Sequence, residues 1–164
     1  YDAVVGRFVL IYVQDKAALL RRLVEHLRPE GIVGFQEPYF TLTGTTLPPA
    51  PLYTQASTWN IETFRRAELD TDIGLKLYRL LLDAGLTDPE MDVTISVGGG
   101  LHWAGYENMA DVTRALLPLM TKLGVTTAEE IDIETLERRL REEVVKQRGT
   151  AMGIGFMSAW ARKS

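Results

Sequence analysis

The 164-residue sequence contains no cysteine at all. This absence excludes disulfide bonds, thiolate metal sites and a cysteine nucleophile, and it fits a reducing compartment, so we expect a cytoplasmic protein. Histidine is scarce as well: the 2 histidines lie far apart, and with the scattered acidic residues they form no metal-ligand spacing. The sequence therefore predicts no metal centre.

Positive charge is also in short supply, with 18 Lys and Arg against 22 Asp and Glu and a net charge of −4. Such a chain has no basic surface typical of proteins that bind nucleic acid or anionic membranes. No apolar run approaches the roughly 18 residues of a membrane span, and no signal-peptide pattern opens the chain. What remains, 46% hydrophobic and 24% charged residues, is typical of a globular domain with a sizeable core.

The first 38 residues predict a βαβ unit. The nearly continuous apolar run YDAVVGRFVLIYV predicts a strand over 2–13 that is buried on both faces. Asp15 is placed to cap a helix with apolar residues at i, i+3, i+4 and i+7 spacing, which ends at the Arg-Pro-Glu-Gly turn. A second short strand follows at 32–37, so the two strands should be parallel with a right-handed crossover.

Residues 39–60 predict a long substrate loop, because they are rich in Pro, Thr and Gly and show no period of 2 or 3.6. Residues 61–164 predict further helices, a strand in MDVTISVGGG and a last strand in GTAMGIGFMSAWAR. Thr127 and Glu130 have capping-box spacing. The charged run over 137–143 predicts a solvated helix face. The order β-α-β-loop-α-β-α-α-β indicates a single α/β domain.

Residues 1–38 resemble class I S-adenosylmethionine-dependent methyltransferases. In that family the region consists of a DxV strand, an apolar turn with a Leu and a Tyr or His, a helix, LRPGG and a strand ending in an acid. Here Pro-Glu-Gly replaces Pro-Gly-Gly and keeps the turn glycine at Gly31. The tail, with LPLM, GVTTAEEID, TLERRLREE and AWAR, is similar to the ends of bacterial small-molecule methyltransferases.

The resemblance implies the C-terminal half of a Rossmann-like, seven-stranded methyltransferase sheet. The four predicted strands would be strands four to seven, with the last one antiparallel and inserted between the second and third strands of this chain. Three upstream strand-helix units, roughly 90 residues, would carry the glycine-rich cofactor loop. Tyr1 is then expected to be a truncation point, and the first strand a central strand whose bare edge needs a covering.

The cofactor that the resemblance implies is S-adenosylmethionine. It assigns the cofactor to the carboxyl end of the first strand, where open α/β sheets bind ligands. There Gly6 would let the backbone approach, Arg7 would face the cofactor or a carboxylate, and Phe8 and Tyr12 would wall the site. The alternative is a core strand with one glycine bulge.

Four residues are candidates for binding a small-molecule substrate: Glu37, Tyr39, Trp59 and Trp103. A carboxylate at 37 could orient a substrate amine or hydroxyl or support the sulfonium charge. The alternative is that Glu37 caps a turn or pairs with Arg7. The two tryptophans, together with the tyrosine at 106, are candidates to line an apolar pocket for a planar substrate.

His102, in the stretch GGGLHWAGY, is the candidate catalytic residue. An imidazole titrates near working pH and could take a proton from a hydroxyl acceptor as methyl transfer proceeds. A structural or packing role is the alternative. The preceding glycines lack the GxxxxGK[ST] pattern of a phosphate loop, so they predict a tight exit from the strand instead.

The sequence thus predicts transfer of a methyl group from S-adenosylmethionine to an O or N atom of a small molecule by the intact enzyme, with this chain alone inactive. The donor is already activated, so alignment and desolvation are the main requirements, plus a base for a hydroxyl acceptor. An alternative is a catalytically inactive methyltransferase-like partner or regulatory module that forms a homodimer through the first strand. The antiparallel last strand and the Leu-Arg-Pro-Glu-Gly turn argue against a third reading, a nicotinamide-dependent Rossmann enzyme.

Overall fold

The computed structural model, which describes residues 1–164, contains both strands and helices. The predicted α/β class is confirmed. None of the helices is both long and apolar enough to cross a membrane. The elements are β1 (Ala3–Arg7), α1 (Lys16–Glu25), β2 (Ile32–Tyr39), β3 (Thr46–Leu47), α2 (Pro51–Arg66), α3 (Ile73–Asp83), β4 (Glu90–Gly98), α4 (Gly105–Lys122), α5 (Ala128–Ile131), α6 (Ile133–Lys146) and β5 (Thr150–Arg162).

The five strands form one sheet in the order β1-β2-β5-β3, with β4 also paired to β5. Strands β1 and β2 are parallel, in a register that runs from Ala3 opposite Ile32 to Arg7 opposite Gln36. The short β3 is antiparallel to β5. The parallel pairing of the first two strands is therefore confirmed, as is the position of the last strand beside both β2 and β4.

The chain divides into two compact units, a division that the sequence alone does not indicate. Unit 1 comprises residues 1–39, 70–94 and 156–164, and unit 2 comprises residues 40–69 and 95–155. In unit 1, α3 packs on β2 and on α1. Its core residues, including Leu20, Val33 and Leu77, are fully buried.

Unit 2 contains α2, α4 and α6, which pack on one another in pairs. Their shared core includes Tyr53, Met109 and Leu140. The Glu143 carboxylate on α6 accepts the backbone N–H groups of Leu52 and Tyr53, both at 3.0 Å. An acid on one helix thus satisfies the first turn of another, where backbone donors have no partner within the helix.

The first strand is shorter than predicted. The apolar run gives a strand only over Ala3–Arg7, followed by a single 3-10 turn over Leu10–Tyr12. Phe8 separates them with a φ of +57°, which strand residues do not adopt. The prediction of burial on both faces is also wrong, because Val5 is 80% exposed.

The predicted loop over 39–60 is partly helical, because α2 begins at Pro51. Proline suits the first position of a helix, since its missing N–H would have no partner there. The next two backbone N–H groups of this helix, those of Leu52 and Tyr53, are accepted by Glu143 on α6, and no local sequence pattern indicates this contact. The predicted order has one helix between this loop and the third predicted strand, whereas the structure has two, α2 and α3, separated by residues 67–72.

Candidate functional site

A buried carboxylate organises the carboxyl ends of β1 and β2 in unit 1. Glu37 is 0% exposed. Its Oε1 accepts the backbone N–H groups of Val9 at 2.9 Å and Leu10 at 2.7 Å, and its Oε2 accepts that of Ile11 at 3.2 Å. Glu37 therefore caps the turn after β1, the alternative raised from the sequence. A role in substrate binding stays a prediction.

Three of the four predicted cofactor residues lie in one cluster around this turn. The Arg7 guanidinium carbon lies 5.1 Å from the centre of the Phe156 ring, a cation–π distance. The ring of Phe8 is 6.1 Å from that of Phe156 and 6.3 Å from that of Tyr12. Burial and then the charge of Glu37 raise the pKa of Tyr12, so its phenol stays a hydrogen-bond donor at neutral pH. We call Arg7, Phe8, Tyr12 and Phe156 the strand-end cluster.

At Gly6, the fourth predicted cofactor residue, the neighbouring Phe35 ring leaves little room for a side chain. A Cβ at this position would lie 2.4 Å from Cε1 of the Phe35 ring. Gly6 and Arg7 also line an open cavity of about 340 Å³ on the sheet of unit 1. Gly6 therefore has a packing role and also lies beside open space.

Tyr39, one of the predicted substrate residues, is the last residue of β2 and is half-buried.

Trp103 lies in an aromatic cluster in unit 2. Its ring centre is 5.0 Å from that of Tyr106 and 6.0 Å from that of Tyr53. Its indole Nε1 donates to the Ser96 hydroxyl at 3.1 Å. Trp59 is half-buried and packs against the core of the same unit. Both tryptophans therefore contribute to the packing of unit 2.

His102 and Trp103 meet at a cavity of about 400 Å³, which we call the Trp103 cavity. Its lining residues, all in unit 2, are Leu101, His102, Trp103, Ala104, Glu107 and Arg141. His102 is exposed there. The structure thus brings together the predicted catalytic histidine and one predicted substrate residue, whereas Trp59 is not part of this lining.

Arg141 is the member of this site that the sequence did not reveal. The alternating charges of α6 indicated a solvated face, yet the Nε atom of Arg141 is buried with no hydrogen-bond partner. The hydroxyls of Tyr53 and Tyr106 are also buried without partners. Each such group costs about 1–3 kcal/mol if it stays unsatisfied. Of these three residues, only Arg141 is among the lining residues of the cavity.

Electrostatics connects these three groups. Burial, and then the neighbouring Tyr106 phenol, raises the pKa of Tyr53 well above its ordinary range. Burial raises the pKa of Tyr106 as well, and the charge of Arg141 partly offsets this increase. Both phenols are therefore neutral donors at physiological pH.

No protein-family model matches the chain, and no curated protein sequence is significantly similar to it. Among solved structures it is similar to phosphoethanolamine N-methyltransferase 2 of Haemonchus contortus in complex with phosphomonomethylethanolamine and S-adenosylhomocysteine. The TM-score is 0.46 and the identity 11%, over 99% of this chain and 33% of that protein. It is also similar to the (4+2)-cyclase SpnF, with a TM-score of 0.41 and 17% identity, over 99% of this chain and 49% of SpnF. The chain thus spans about a third and about half of these two proteins.

Proposed function

We propose that this chain is part of an S-adenosylmethionine-dependent methyltransferase, which in its intact form methylates an O or N atom of a small molecule. The observation that carries the proposal is the strand-end cluster, held at the carboxyl ends of two parallel strands by the buried Glu37. Open α/β sheets bind ligands at this edge. The resemblance of residues 1–38 to the methyltransferase family supports the same assignment.

The residues at this edge fit the chemical groups of the cofactor. Arg7 would hold the carboxylate of the methionine portion, since guanidinium groups bind carboxylates well. Phe8 and Tyr12 would wall the adenosine portion, and the hydroxyl of Tyr12, a residue that is 57% exposed, is a neutral donor. The open cavity beside Gly6 leaves room for close backbone approach. When bound, S-adenosylmethionine supplies an electrophilic methyl group on a sulfonium.

Among the chain's own residues, His102 is proposed as the base for a hydroxyl acceptor. It is exposed at the Trp103 cavity and can receive a proton there. Glu37, Tyr39, Trp59 and Trp103 remain the proposed substrate residues. For Glu37 the contribution would be indirect, because its two carboxylate oxygens hold the turn that positions the strand-end cluster.

The test is calorimetric titration of S-adenosylhomocysteine into the protein produced from its complete coding sequence. We expect saturable binding that weakens about tenfold or more in Arg7→Gln, which loses a charge-assisted hydrogen bond. Arg22→Gln, at an exposed position of α1, is the matched control and should bind like the parent protein. No binding by the parent protein, or equal binding by Arg7→Gln, would overturn the proposal.

A catalytically inactive partner module is the second candidate, and the exposure of β1 favours it. This strand lies at one end of the sheet order, and Val5 on it is 80% exposed. An apolar edge strand is a template for pairing with a second copy. A homodimer in sedimentation that Val5→Lys converts to a monomer, together with no cofactor binding, would support this candidate. A monomeric parent protein would exclude it.

A further inference from the structure

Strand β4 is an edge of the sheet with no partner on its outer side. It pairs with β5 alone, and no other backbone hydrogen bond reaches residues 90–98. Alternate N–H and C=O groups along such an edge face solvent and can pair with a further strand. The edge is also long, because β4 has nine residues, whereas β1 at one end of the sheet order has five.

The sequence of β4, EMDVTISVG, places apolar and polar side chains on opposite faces of the strand. The apolar face consists of Met91, Val93, Ile95 and Val97. Val93 is 45% exposed and Val97 is 51% exposed. The strand contains neither of the residues, lysine and proline, that commonly protect edge strands from pairing. Its outer edge is therefore open to association.

The charges at the two ends of β4 differ in sign. Glu90 and Asp92, both exposed, lie at its first end. Beyond its last end, a Cβ at Gly99 would lie 1.9 Å from the carbonyl oxygen of Gly149, and the residue before Gly149 is the exposed Arg148. A second β4 that runs in the opposite direction brings its acidic end toward this arginine, whereas a parallel copy in register sets like acids against each other. Charge therefore favours antiparallel pairing of two copies.

We propose that two copies of this protein associate by antiparallel pairing of their β4 strands about a two-fold axis at Thr94. This register pairs all nine residues of the strand. Met91 lies opposite Val97 of the second copy, Val93 lies opposite Ile95, and Thr94 lies opposite itself. Cross-strand apolar and Thr–Thr pairs stabilise a sheet, and a shift by one residue would set apolar side chains opposite polar ones. The association goes beyond the proposed function and requires neither cofactor nor methyl transfer.

Charge exchange at the axis tests the pairing, with sedimentation of the protein produced from its complete coding sequence as the measurement. The parent protein should be a dimer. Thr94→Lys and Thr94→Glu, at an exposed position, each set like charges opposite each other and should weaken association about tenfold or more. An equimolar mixture of the two variants should restore the dimer, a gain that misfolding cannot produce. A monomeric parent protein, or a mixture that does not associate, overturns the inference.

Val5→Lys is the matched control, because Val5 is an exposed residue of the other edge strand, β1. This variant should remain a dimer. A dimer that Val5→Lys dissociates and Thr94→Lys leaves intact would pair through β1, which contradicts the inference.

Cysteine cross-linking tests the register, since the 164-residue sequence contains no cysteine. Opposite residues of an antiparallel pair have Cα atoms about 4.5–5.5 Å apart, a separation that a disulfide can span. Thr94→Cys should therefore form an intermolecular disulfide on oxidation. Glu90→Cys, about 27 Å from its counterpart in the second copy, should not. Equal cross-linking of the two variants, or none in Thr94→Cys, contradicts the proposed pairing.

Discussion

Glu37 Oε1 accepts the backbone N–H of Leu10 at 2.7 Å, although 27 residues separate them in the chain. The same carboxylate accepts the N–H groups of Val9 and Ile11. These three donors belong to the segment that follows β1 and leaves the sheet. The carboxylate therefore substitutes for the sheet hydrogen bonds that this segment does not form, and fixes the turn from which Tyr12 extends.

We expect Glu37→Ala to lower the free energy of unfolding by about 2–4 kcal/mol, because buried N–H groups lose their acceptor. Glu37→Gln should cost less, since the amide oxygen can still accept. Urea denaturation measures both effects. The matched control is Glu25→Ala, at an exposed position of α1, with an expected change within about 0.5 kcal/mol. A loss no larger in Glu37→Ala than in this control would contradict the capping role.

Local signals allowed two helix starts to be predicted. Asp15 caps α1 as expected, with its Oδ1 accepting the backbone N–H of Ala18 at 2.8 Å. The capping box of Thr127 and Glu130 is present as well. Both depend on residues three apart, which a sequence pattern contains directly. The end of β1 and the start of α2 instead depend on Glu37 and on a distant glutamate of α6, so no local pattern reveals them.

The candidate site shows the same limit. His102 and Trp103 are neighbours in the chain, and their shared cavity could be anticipated from one short stretch. Arg141 reaches that cavity from α6, and its alternating-charge context is typical of a solvated helix face. Only its Nε atom is buried, and α6 packs against α4, a tertiary contact that the period of α6 does not encode.

Two adjacent glycines after β4, Gly99 and Gly100, differ in the space available for a side chain. A Cβ at Gly99 would lie 1.9 Å from the carbonyl oxygen of Gly149, whereas one at Gly100 would meet nothing within 4 Å. We expect Gly99→Ala to lower the free energy of unfolding by about 2–4 kcal/mol, because two backbone segments must separate. Gly100→Ala should stay within about 0.5 kcal/mol. Thermal or urea unfolding measures both changes. Equal changes in the two variants would contradict a contribution of this close approach to stability.

The capping box makes stability dependent on pH. The Thr126 hydroxyl donates to Glu130 Oε2 at 2.7 Å and the Thr127 backbone N–H adds a second bond, and together they lower the pKa of Glu130 below its ordinary 4.5. A carboxyl whose pKa is lower in the folded state stabilises the protein above its unfolded pKa, and this contribution is lost as pH falls through the folded value.

The excess stability of the parent protein over Glu130→Gln should therefore be largest at neutral pH and shrink as the pH falls below 4.5. Urea denaturation across this range measures the difference, in which the titration of other groups cancels. Thr126→Val removes the main donor and should weaken the same pH dependence. A difference that grows on acidification would contradict the assignment.

Buried hydroxyls in unit 2 differ in whether they have a partner. Tyr53 is 0% exposed and its hydroxyl has none, whereas the Thr113 hydroxyl, equally buried, donates to the Met109 carbonyl at 2.8 Å. Removing an unsatisfied buried hydroxyl relieves a desolvation cost, so Tyr53→Phe should leave the free energy of unfolding unchanged or raise it by up to about 1 kcal/mol. Thr113→Val, of nearly the same shape, should lower it by about 0.5–1.5 kcal/mol. If Tyr53→Phe were as destabilising as Thr113→Val, the phenol would have to be hydrogen-bonded in solution.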